Sequence, residues 1–148
     1  MIFGFRRSRI ATLFASGLAL VSVVVGVGVI TSTKSVSAQT TITCTLTIDN
    51  PHQSTHAPGK VNVVSKLTCT APMSSVSMTV TLYRNNAPVG QNSCSNAGNP
   101  ALRCNAAAPC VKGSYVGTST GTAVAPPGFK PPSQTKTVIS NTVPITCG

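Results

Sequence analysis

Acidic side chains are almost missing from this chain. Its 148 residues carry a single acid against 11 Lys and Arg, a formal net charge of +10. That acid is Asp49, and there is no Glu. Mechanisms that divide acid and base work between two carboxylates have no second carboxylate to use. Trp is absent and aromatics make only 4% of the chain. This removes the stacking platforms on which single-stranded nucleic acids rest. It also removes the buried Trp of antibody domains. No C-x-x-C pair occurs, and the closest cysteines are Cys104 and Cys110, so no metal-ligand spacing is met. A G-x-S-x-G elbow and a phosphate-cradling glycine loop are lacking too.

The amino terminus supplies the longest apolar run. Arg6, Arg7 and Arg9 precede an uncharged stretch from Ile10 to Thr33, and Val36-Ser37-Ala38 follows. A basic head, an apolar middle and a small-residue exit read as a signal peptide over residues 1–38, cut after Ala38. The stretch is also long enough to remain as an uncleaved membrane anchor. Arg6-Arg7 gives a weak twin-arginine signature, since Arg9 stands where that signal prefers an apolar residue. Both routes place residues 39–148 outside the cytoplasm, as a secreted, extracellular domain. It keeps seven of the basic residues. The positive mean hydropathy of +0.25 comes largely from the leader.

All six cysteines follow the leader: Cys44, Cys69, Cys94, Cys104, Cys110 and Cys147. An even number in a small exported domain reads as three disulfides, and sequence alone leaves 15 pairings open. Position favours one set. Cys94 and Cys104 share a stretch rich in Gly, Asn, Pro and Ala, which a local bridge closes as a loop. Cys44 and Cys69 lie near the ends of two strand-like runs. Cys110 and Cys147 then tie the carboxyl-terminal strand back to the loop.

The exported part alternates with period two. In 41–48 Ile42, Cys44, Leu46 and Ile48 share one face, with four Thr on the other. In 61–70 Val61, Val63, Leu67 and Cys69 face inward. In 75–84 Val76, Met78, Val80 and Leu82 do the same. Such alternation marks half-buried strands. Asn85-Asn86 favours a tight turn, with a short return run near Val89. Residues 91–113 lose periodicity and read as a long loop or a short strand between stapled loops. Strand character returns over 115–124. A Pro-rich corner spans 125–132, and 135–147 offers one or two strands, with Pro144 marking an edge or bulge. Thr and Val make 28 of the 110 residues after Ala38, and no helical period competes. The expected fold is all-β: an immunoglobulin-like β-sandwich of about seven strands, held by disulfides.

Site chemistry is sparse. His52 and His56 stand at H-x-x-x-H with Asp49 nearby, but Pro51 and Pro58 argue against the helix that would align the two imidazoles. The pattern reads as a solvated loop in which Asp49 caps a turn, so no metal and no cofactor are expected. A Ser–His–Asp grouping drawn from one short loop lacks scaffolding, so the chain is read as no enzyme. The basic residues Lys60, Lys66, Arg84, Arg103, Lys112, Lys130 and Lys136 are scattered. They form no run or stripe, and no nucleic-acid partner is expected. Candidate interface residues lie on the stiffened loops: Arg84, Asn85, Asn86 and Arg103 in one segment, Phe129 and Lys130 in the Pro-rich corner. Phe129 is the expected anchor.

D-N-P-H at 49–52, L-Y-R-N at 82–85, P-C-x-x-G-S-Y at 109–115, A-P-P-G-F at 125–129 and the terminal I-T-C resemble small exported proteins of actinobacteria. The resemblance covers most of 41–147 and implies a Cys-stabilised β-sandwich. In size, export and β character the chain more distantly resembles the linking subunit of umbrella toxin particles, which are secreted antibacterial assemblies. Neither resemblance carries functional residues. The function expected is non-catalytic binding of another secreted or cell-surface protein, through a sheet edge or the stiffened loops, within a secreted assembly. Inhibition of extracellular hydrolases and a cationic effector acting on envelopes are the competing expectations. Membrane contact is expected only through an uncleaved leader.

Overall fold

A computed structural model describes residues 40–147. The leader and its cleavage site fall outside the described residues. Nine strands follow one another: β1 (Cys44–Ile48), β2 (His52–Gln53), β3 (Lys60–Cys69), β4 (Ser75–Arg84), β5 (Ala87–Asn96), β6 (Ala101–Pro109), β7 (Gly113–Val124), β8 (Ser133–Ile139) and β9 (Val143–Ile145). They form two antiparallel sheets, and no helix occurs among the described residues. In the first sheet β3 is central, with β6 on one side and β1 and β2 sharing the other. In the second the order is β5-β4-β7, and β8 and β9 share the far side of β7. Nine segments thus fill seven strand positions, three against four. The two interruptions fall at Asp49-Asn50-Pro51 and at Ser140-Asn141-Thr142, and the Asn141 amide donates to Asn50 Oδ1 at 3.1 Å.

The core is the set of inward positions that the alternation marks. Val61, Val63, Val76, Met78, Val80 and Leu82 are all buried, as are Ile42, Cys44 and Leu46. Those from the first sheet face a smooth strand. The inward residues of β7 after Tyr115 are Gly117, Ser119, Gly121 and Ala123, all small and buried. A Cβ on Gly117 would lie 2.5 Å from Val63 Cγ2 and 3.1 Å from Ile48 Cδ1. Large side chains from the first sheet therefore fill the space that β7 leaves. Few aromatics are needed because the sheets interlock large against small. Ser119 Oγ is buried with no hydrogen-bond partner. An unmet buried hydroxyl costs about 1–3 kcal/mol. Ser119→Ala is therefore expected to raise stability by about 1 kcal/mol, read as a higher denaturant midpoint at unchanged slope.

The largest departure from the sequence reading is at 91–113. This stretch is not a loop; it holds most of β5 and all of β6. In β6 Cys104, Ala106 and Ala108 are buried while Arg103, Asn105 and Ala107 are exposed. The period of two is there, but Ala stands on both faces and hydropathy cannot reveal it. Small residues are required because β5 and β6 approach closely: a Cβ on Gly90 would meet the Ala107 carbonyl oxygen at 2.5 Å.

The disulfides are Cys44–Cys69, Cys94–Cys104 and Cys110–Cys147, the set that position favoured. The role of the second differs from the expected loop closure. Cys94 lies in β5 of one sheet and Cys104 in β6 of the other, so the bond clamps the two sheets at their edge. Cys110–Cys147 joins the residue after β6 to the chain beyond β9, again across the sheets. Cys44–Cys69 links directly opposed residues of β1 and β3 within one sheet. The molecule is a disulfide-stabilised β-sandwich. Three such bonds require an oxidising compartment to form and persist.

Candidate functional site

The expected interface residues do not come together. Arg84, Asn85 and Asn86 sit at the β4–β5 hairpin tip. Asn85 and Asn86 both have positive φ, 48° and 67°, the backbone of a tight two-residue hairpin turn. The Asn85 side chain is engaged, since Oδ1 accepts from the Ser114 amide at 2.9 Å. This tip lies at the Gly113 end of β7. Phe129 and Lys130 lie beyond Val124, at the other end of that strand, about 35 Å away at the usual strand rise. Phe129 is only partly exposed. It packs against the core. The Lys130 amide and carbonyl are both used, donating to the Thr40 carbonyl and accepting from the Ile42 amide.

Three backbone carbonyls at the edges of the first sheet are occupied as well. Along β1, the carbonyls of Ile42 and Cys44 accept from Gln134 Nε2 and Lys136 Nζ, each at 2.8 Å. Along β6, the Asn105 carbonyl accepts from Asn92 Nδ2 at 3.0 Å. These side chains cap backbone groups that an added strand would need.

Asn85 borders a small cleft of about 220 Å³ with Lys112, Pro144 and Ile145, while Arg103 leads to a larger surface, on the outer face of the first sheet. Alternation sends Lys60, Asn62, Val64, Lys66 and Thr68 of β3 outward, opposite the face that carries Val61 and Val63. The register then sets Lys66 directly against Arg103, Val64 against Asn105 and Asn62 against Ala107. Lys66 and Arg103 are both exposed. Two shallow grooves adjoin there. One, of about 420 Å³, is bordered by Thr47, Asp49, Lys66 and Arg103. The other, of about 520 Å³, is bordered by His56, Lys60, Asn62, Arg103 and Asn105. Val64 and Arg103 line both, so the two form one trough with Val64, a 9% exposed apolar residue, in its floor. Residues that look scattered in the sequence are gathered by the pairing of β3 with β6.

The outer face of the second sheet is its opposite. Ser77, Thr79 and Thr81 of β4 stand beside Thr122, Thr120 and Thr118 of β7, in register. Neighbouring hydroxyls bond across strands at 3.0 Å in the pairs Thr79–Ser93, Thr120–Thr137 and Thr122–Thr135. These rows carry no charge.

His52 lies in β2, with its Nδ1 at 3.0 Å from the Asn50 carbonyl, while His56 sits in the following loop. No group of three His, Cys, Asp or Glu gathers among the described residues. No helix among them is long and apolar enough to cross a membrane. No protein family, curated protein or solved structure matches the chain, and the trough has to be read from its own geometry.

Proposed function

We propose that this is a secreted, non-catalytic binding module, working on another secreted or cell-surface protein as part of an extracellular assembly. The observation that carries the reading is the trough on the first sheet. It is concave, lined by groups of both polar kinds, and built on strands rather than loops. Strands fastened by disulfides lose little freedom on docking, which favours affinity. The capped carbonyls at the edges of the first sheet favour its face over edge pairing there.

An immunoglobulin-like arrangement belongs to this reading, and two features support it. Strand positions divide three against four. Tyr115, buried near the start of β7, donates its hydroxyl to the Val111 carbonyl at 2.7 Å and accepts from the Val111 amide at 3.1 Å. A buried Tyr bonded back to the chain just upstream marks the corresponding strand of immunoglobulin domains, two residues before the second cysteine of their inter-sheet bond. Gly117 stands at that place, with Val63 over it.

The test is co-purification. Tagged domain added to culture fluid of the producing organism is expected to retain one protein in stoichiometric amount. Recovery of no such partner counts against the reading. Inhibition of an extracellular protease or amylase by the domain alone would favour the inhibitor function instead.

A further inference from the structure

Within the proposed binding function, we infer that the trough accepts an extended acidic segment of the partner protein. Like charges directly opposed on neighbouring strands destabilise a sheet. Lys66 and Arg103 are opposed in this way, with side chains starting about 5 Å apart at Cβ. Lys60 lies on the same face, six residues along β3. Asp49 is the only side-chain carboxylate in the whole chain. At least two of these three cations therefore have no carboxylate partner of their own.

An anionic ligand supplies what the chain lacks. The guanidinium of Arg103 matches a carboxylate in two parallel hydrogen bonds, while Lys66 beside it adds a second charge. Between this pair and Lys60 the surface changes character. Asn62 and Asn105 present amides, bonded to each other at 3.3 Å, and Val64 offers an apolar floor. A polymer charged at every unit has no use for that stretch. A polypeptide does: carboxylates at its ends meet the cations, its backbone meets the Asn amides, and an apolar side chain covers Val64. From Lys66 to Lys60 the strand spans about 20 Å, which suits a segment of about seven extended residues.

The experiment is a titration followed by amide chemical shifts on the oxidised domain. The probe is an octapeptide of alternating Glu and Val; a glycerol-phosphate chain is the second arm. Saturable shifts are expected at residues 60–66 and 103–107 and not on β8. They should weaken as salt rises. The pair Lys66→Glu and Arg103→Glu should lower peptide affinity at least tenfold, and Thr120→Glu on the outer face of the second sheet should leave it unchanged. Peptide shifts that are absent, lie elsewhere or survive the double reversal overturn the inference, and so does tighter binding of the phosphate chain. The binding function is separated by repeating the co-purification with the doubly reversed protein. A partner still retained means the function stands and the acidic segment falls; a partner lost supports both.

Discussion

Reduction of the three disulfides is expected to unfold the domain. The closed loops span 25, 10 and 37 residues. Chain-entropy arguments give each bond about 3–4 kcal/mol, the shortest loop contributing least. The loops do not overlap in sequence, so each restricts a separate part of the unfolded chain. Together they amount to about 10 kcal/mol, comparable with the whole stability of a small domain. The core has little in reserve, since β7 and β6 contribute mostly Gly, Ser and Ala. In strong reductant the β signal in far-UV circular dichroism should vanish at room temperature, without denaturant. A cooperative thermal transition that persists in the reduced protein would mean that packing alone suffices. Replacing one bond at a time by Ala pairs should leave a folded domain in each case. Loss of Cys94–Cys104 is expected to cost the least stability, yet to loosen β5 from β6 most. Hydrogen exchange at residues 91–96 reads that separation directly.

The second large effect is at Gly117. Gly117→Ala places a methyl where Val63 Cγ2 already sits, 2.5 Å from the new atom. Val63 is fully buried, and its branched side chain is stiff at χ1. The expected loss is about 2–3 kcal/mol, read from the urea midpoint. The mechanism predicts a rescue. With Val63→Ala in the same chain, the two substitutions should cost at least 1 kcal/mol less than their separate losses summed. Additive losses would mean that Gly117 is needed for its backbone and not for space. Gly121→Ala is the comparison: its nearest neighbour, Leu46 Cδ1, would lie at 3.2 Å, and a small loss is expected.

Both predictions rest on strands that the sequence made visible to different degrees. The runs at 41–48, 61–70 and 75–84 were legible because large apolar residues alternate with Thr, Ser or Lys. The reading at 75–84 agrees with β4 residue for residue. Residues 91–113 were illegible for a packing reason. Where two sheets meet at an edge with little room, buried positions must be Ala, Cys or Gly, and these differ little from exposed Ala and Asn. The disulfide pairing could be favoured from position along the chain. Its mechanical role could not, because that depends on which sheet each strand joins. The site follows the same logic. Arg103 is visible in the sequence as an isolated cation, but its relation to Lys66 arises from a register spanning 37 residues of chain. Prolines around Phe129 suggest exposure in the sequence, while the ring is half-buried against the core.

Placing the partner on one face of the sandwich is the most direct test of the account as a whole. A photoreactive side chain is introduced at Asn105 in the trough of the first sheet and, separately, at Thr120 in the hydroxyl rows of the second. Each oxidised protein is irradiated with the partner recovered by co-purification. The account predicts a cross-linked complex from position 105 and none from position 120. Cross-linking from position 120 with none from position 105 would contradict it.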